Sequence, residues 1–137
     1  MADIRIADRT IVALQKSLDL RAQKQQVIAG NIANAETPGY SARKLEFEDS
    51  LRKAINTPET AGRKTHAKHF PIGSSEISRV QGTITKQIST NALGDGNSVS
   101  LDDEMFDLAE NQLLYEAGSQ MLKKKFSMIK FVASGGR

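Results

Sequence analysis

The chain of 137 residues carries 39% hydrophobic and 5% aromatic side chains, enough for one small domain but thin for a spherical core. A net charge of +3 permits contact with nucleic acid or anionic lipid without arguing for it. The absence of cysteine excludes disulfides and thiolate metal sites.

The opening stretch MADIRIADRT contains no apolar h-region of a secretory signal. No apolar run approaches the ~20 residues of a membrane span, so a route out of the cytoplasm would have to be a different one.

From about Asp8 to Asn34 apolar residues recur at helical spacing, with Asp8 as the expected N-cap. Ile11, Leu14, Leu18, Ile28 and Ile32 define one seam whose middle places are Arg21 and Gln25, while Leu20 and Val27 form an adjacent stripe. At ~1.5 Å per residue this helix spans about 40 Å. The run NIANAETPGY then ends it. Asn34 can cap the last turn, Thr37 is pushed toward extended backbone by the following proline, and Pro38-Gly39 fits a type II turn with positive φ at Gly39. Next, SARKLEFEDSLRKAI places Leu45, Phe47, Leu51 and Ile55 in a short amphipathic element, helical from about Glu48.

Residues 56–98 differ in kind, holding five of the ten glycines and two of the three prolines. The alternations Ile77 to Val80 and Thr83 to Thr85 suggest a weak hairpin or a segment ordered by a partner. GDGNS at 94–98 reads as a loop. Ser100 and Asp103 then make a capping-box-like start to a second long helix. Acidic Asp102, Asp103 and Glu104 stand at its positive end, and Lys123, Lys124, Lys125 and Lys130 toward its negative end. Leu101, Met105, Leu108, Gln112, Tyr115, Ser119, Leu122, Phe126 and Ile129 follow 4-3 spacing; Phe106, Leu113, Met121 and Met128 widen the face. The helix is expected to stop near Val132, before Ser134-Gly135-Gly136.

The fold class is therefore mainly α: two long terminal amphipathic helices packed as a coiled-coil-like pair, with an irregular or weakly hairpin-like middle. The boundaries fall at 1–55, 56–98 and 99–137, both ends forming one structural domain. The apolar face exceeds what one helix pair covers, and polar Arg21, Gln25, Gln112 and Ser119 could set register. The pattern by itself leaves assembly and a self-contained helical hairpin both open.

Catalytic chemistry finds little support. His66 and His69 are two loop histidines without a carboxylate at ligand spacing. Asp102 to Glu104 are explained by a charged first helical turn. No nucleophile elbow or phosphate-binding loop occurs. Lys123 to Lys125 could bind phosphates or lipid head groups, but helix-dipole complementarity explains them as well.

Two stretches carry a resemblance. LDLRAQKQQVIAGNIANAETPGY (18–40) resembles the N-terminal signature of bacterial flagellar basal-body rod proteins, in which Asn-Ile/Leu-Ala-Asn precedes Thr-Pro-Gly-Tyr. VSLDDEMFDLAENQLLYEAGSQMLKKKFSMIKF (99–131) resembles the C-terminal helix of the proximal-rod members. Gly30 departs from the pattern, where another small or polar residue is expected.

The resemblance implies a structural subunit without enzymatic activity or cofactor. It implies export by the flagellar type III apparatus without a cleaved signal, then helical self-assembly into the periplasmic drive shaft. Implied partners are further copies of the chain, other proximal-rod proteins, the MS-ring and the adapter protein FliE, with no nucleic acid and no small-molecule substrate. Asn31, Ile32, Ala33, Asn34, Thr37, Pro38, Gly39 and Tyr40 would then aim the chain out of the helical layer, with Tyr40 packed on a neighbouring segment. Leu101, Leu108, Tyr115, Leu122, Phe126 and Ile129 would form the C-terminal seam. Phe47 and Leu51 match the spacing of an export-gate motif, although both could simply pack the short helix. The competing reading is a basic helical module that binds nucleic acid or anionic membrane through Lys123 to Lys125.

Overall fold

A computed structural model describes residues 2–57, 76–88 and 94–135, with side chains of the first helix from Arg9 onward. His66 and His69 lie outside the described residues. In chain order the elements are α1 (Ala2–Ala33), β1 (Ala42–Glu46), α2 (Glu48–Asn56), α3 (Glu76–Arg79), β2 (Thr83–Gln87) and α4 (Leu101–Ala133).

The two long helices pack along one another, antiparallel, as the terminal patterns require. Helix α1 starts at Ala2, so Asp8 lies inside it instead of capping it. Its two apolar stripes divide the work. The Leu20 stripe faces a small core in which Leu20, Leu45, Phe47, Leu51, Ala54, Ile77 and Val80 are buried and Val12, Ala13 and Val27 pack alongside. Each large side chain there contributes ~1.5–3 kcal/mol. Helix α4 supplies none of this cluster, so the core belongs to α1 and the middle elements.

Helix α2 begins where expected. Glu48 reaches back so that its Oε2 accepts the Phe47 N–H at 3.2 Å, and acidic Glu48 and Asp49 occupy the first turn. At the other end Arg9 of α1 donates to the Ala54, Ile55 and Thr57 carbonyls, satisfying orphan acceptors of the last turn.

The middle differs from the sequence expectation in one respect. A strand does form at Thr83–Gln87, but Ile77 lies in α3, and β2 pairs antiparallel with β1, from Ala42↔Gln87 to Glu46↔Thr83. The reason is burial. Ile77 gains more from burial in the core, where it is 1% exposed, than from a strand edge facing water. Gly82 permits the approach of β2: a Cβ there would stand 2.7 Å from Leu45 Cδ1. Ser100 precedes α4 in extended conformation but makes no side-chain cap bond, so the capping box is not closed.

Candidate assembly site

The run from Asn31 to Tyr40 is held by three side chains, those of Asn31, Asn34 and Tyr40, and by one backbone turn. Asn31, fully buried, spends its whole amide: Nδ2 donates to the Arg43 carbonyl at 2.7 Å and to Glu104 Oε1 at 2.8 Å, and Oδ1 accepts the Arg43 N–H at 2.9 Å. Tyr40, half-buried, also donates its hydroxyl to Asn31 Oδ1, so it packs against its own chain. Asn34 caps α1 through its side chain, Nδ2 donating to the Gly30 carbonyl at 2.8 Å. The turn itself closes from the Tyr40 N–H to the Thr37 carbonyl at 3.2 Å, with Gly39 at φ +73°. That is the type II geometry read from Pro38-Gly39. Ile32 is half-buried, while Ala33, Thr37, Pro38 and Gly39 are exposed.

A partner for this turn comes from far along the chain. Asn97 donates its Nδ2 to the carbonyls of Asn34, Ala35 and Thr37 at 2.8–2.9 Å. The Gly39 N–H donates to the Asp95 carbonyl, and the Ser98 N–H to that of Tyr40. Ser98 Oγ accepts from Ala42 and donates to Gln87, joining the turn to both strands. Sequence reasoning identified 94–98 only as a loop; an asparagine between two small residues carries no mark of its distant acceptors.

Along the helix pair the stripe of α4 facing α1 is polar and small. Glu104 meets Asn31; Asn111 Nδ2 donates to the Arg21 carbonyl and to Gln25 Oε1, and Arg21 donates to Asn111 Oδ1. At Gly118 the helices come close enough that a Cβ would lie 3.2 Å from Leu18 Cδ2. Arg21 and Gln25 thus meet across the helix pair at Asn111, whereas Gln112 and Ser119 bond to Glu116 of their own helix. The 4-3 seam read from sequence lies beside this contact, roughly 60° round the helix. Of its residues, Leu108 and Leu122 are half-buried, whereas Leu101, Tyr115, Phe126 and Ile129 are 42–53% exposed. Phe106, Leu113, Met121 and Met128 are exposed too, so α4 shows apolar groups nearly all round.

Two carboxyls depart from their ordinary range. Burial pushes Glu104 up, with Asp107 and Asp103 adding to the shift against the Asn31 hydrogen bond and Lys44. At Glu48 burial acts in the same direction but is outweighed by the N–H groups of Glu48 and Phe47 and by Lys24, whose Nζ lies 3.2 Å away, so this carboxyl sits low. Phe47 and Leu51 are core residues at 2% and 7% exposure, and Arg21 lies over the Phe47 ring at 5.6 Å. Among the described residues no group of three or more His, Asp or Glu is arranged to hold a metal, and no helix is long and apolar enough to cross a membrane.

A long helix that exposes large apolar side chains along its length while meeting its partner through a polar stripe is the surface expected of a subunit in a larger assembly. The comparisons give that class its family. Residues 13–40 match the model of the flagella basal body rod protein family. The chain is 35% identical to the flagellar basal body rod protein FlgB of Salmonella typhimurium, over 94% of this chain and 98% of that one. It is 34% identical to FlgB of Bacillus subtilis, over 93% and 95%, and 35% identical to FlgB of Escherichia coli, over 89% and 91%. The chain belongs to the flagellar basal body rod protein family, among the FlgB homologues, and is a structural rod subunit and not an enzyme.

Proposed function

We propose that the chain builds the proximal end of the rod, after leaving the cytoplasm through the flagellar type III apparatus. It then stands in the periplasmic part of the drive shaft. There it meets further copies of itself, other proximal-rod proteins, the MS-ring and the adapter protein FliE. The observation that carries this reading is the exposure of α4: Leu101, Phe106, Leu113, Met121, Phe126 and Phe131 are each at least 50% exposed on a single helix. Only neighbours on several sides would bury that surface. Asn31 to Tyr40 would aim the middle elements away from the helical layer, the same way in every copy. Leu101, Leu108, Tyr115, Leu122, Phe126 and Ile129 would face neighbouring helices. Phe47 and Leu51 would be read by the export gate only while the chain is unfolded, because folding buries both.

Electron micrographs of basal bodies from cells lacking this chain test the proposal. The expected result is basal bodies without a rod, restored by the wild-type chain. Intact rods in its absence would overturn it.

A further inference from the structure

We propose that the Asp95–Gly96 peptide is a site of spontaneous main-chain isomerisation whose product releases the 94–98 loop from the turn at Thr37 to Tyr40. This modification is independent of the rod-subunit role. Of the eight aspartates in the sequence Asp95 alone is followed by glycine, and no asparagine is. The other seven lie within α1, α2 and α4, where helical φ and ψ hold the next backbone nitrogen away from the side-chain carboxyl. Asp95 and Gly96 stand exposed in a loop. Gly96, at φ +76°, has no Cβ to shield its nitrogen. The Asp95 carboxyl is also folded back along the chain. Its Oδ1 accepts the Asn97 N–H at 3.0 Å, an Asx turn that arches the carboxyl over the intervening Gly96 peptide. Asn97 itself is protected from the equivalent reaction, because its amide nitrogen donates to three carbonyls and Ser98, not glycine, follows it.

The chemistry needs only water. The Gly96 nitrogen bonds to Asp95 Cγ, the carboxyl OH leaves with the amide proton as water, and a succinimide ring closes. Water then adds to one of the two ring carbonyls; the ring C–N bond at that carbon breaks and the nitrogen takes up a proton. Opening at Cγ restores the original chain. Opening at the other carbonyl leaves Gly96 joined through Cγ, so the main chain gains the Asp95 Cβ and the former peptide carbonyl becomes a free carboxylate. That carbonyl is the acceptor of the Gly39 N–H at 2.8 Å, and two residues on Asn97 holds the Asn34, Ala35 and Thr37 carbonyls. An extra backbone atom between these two anchors cannot keep both in register.

Peptide mapping of the full-length chain, aged for weeks in neutral heavy-oxygen water, tests this. Wild type is expected to yield an isomeric peptide spanning Asp95–Gly96 that carries a heavy oxygen and accumulates with time. Asp95→Glu keeps the carboxylate but would need a larger ring, and should stay at background. Asp95→Asn should form the isomer faster, with loss of ammonia. In the isomerised fraction the Gly39 amide should exchange about tenfold faster, the scale of one lost hydrogen bond. No isomeric peptide in wild type, or as much of it in Asp95→Glu, would overturn the site. Unchanged protection of Gly39 in the isomerised fraction would overturn the release of the loop.

Discussion

Asn31 Nδ2 donates to Glu104 Oε1 at 2.8 Å across 73 residues of chain, and both side chains are buried. The same amide holds Arg43 at the start of the sheet, so one side chain fixes α1, β1 and α4 together. Asn31→Ala strands the Arg43 peptide groups and the Glu104 carboxylate without their partner, at about 1–3 kcal/mol for each buried group left unpaired. Denaturant unfolding should show a loss of several kcal/mol. A loss within about 0.5 kcal/mol, the usual scatter of a surface change, would show that water replaces the amide there.

Glu104→Gln separates the geometry of this contact from its charge. The folded carboxyl is raised above its unfolded value, so the folded state holds the proton longer. Its contribution to stability is therefore fully present below the unfolded pKa and falls as pH rises toward the raised folded one. Glutamine keeps an acceptor for Asn31 and removes that slope. Hydrogen exchange of residues 101–111 should be slower in the variant than in wild type at neutral pH and alike at pH 4. Glu48 acts oppositely: its lowered carboxyl gives stability that is lost as pH falls through the folded value. The two effects are distinguished by repeating the series in Glu48→Gln.

Gly39 sits at φ +73° with open space where a Cβ would project, so the obstacle there is backbone conformation, not crowding. Gly39→Val should cost about 1–3 kcal/mol and shift the turn away from Asp95 and Asn97. Export should continue while motility falls. Wild-type motility with wild-type stability would mean that the turn tolerates another geometry.

The buried core leaves α4 out, so in the monomer α4 is expected to be less stable than α1. Hydrogen exchange on dilute monomer should protect α1 from about Val12 to Ile28 and leave residues 112–132 of α4 exchanging quickly. In the assembled rod both should be protected. Leu122→Asp should then abolish assembly and leave monomer solubility unchanged. Strong protection across the whole of α4 in dilute monomer would favour a self-contained hairpin.

Phe47 and Leu51 serve the core in the folded chain, which makes an export role separable from packing. If the export gate reads them, Phe47→Ala with Leu51→Ala should lower secretion, while apolar exchanges such as Leu51→Met preserve it. If they only pack, the double change weakens the core by roughly 5 kcal/mol or more and an easily unfolded chain is secreted as well as wild type or better. The amount of protein secreted from cells with an intact export apparatus decides between them.

Both long helices, the short helix after Glu48 and the turn at Thr37 to Tyr40 could be read from local pattern. Each is set by neighbours within a few residues: periodic apolar groups, the fixed φ of Pro38, the freedom of Gly39. Strand β1 could not be read, because its buried residues Ala42 and Leu45 are three apart and carry no period-2 alternation. Its pairing with β2 was equally hidden, for the partner lies some 40 residues on. The face of α4 that meets α1 was misplaced for a physical reason. Apolar spacing marks the surface that water disfavours, and in α4 most of that surface stays exposed in the single chain. The contact inside the chain fell to Glu104, Asn111 and Gly118, whose fitness lies in matching Asn31, Arg21, Gln25 and Leu18 at short range. Local chemistry in the sequence determined which elements form and where they end. Only the tertiary structure decided which face of each is spent within the chain and which stays exposed.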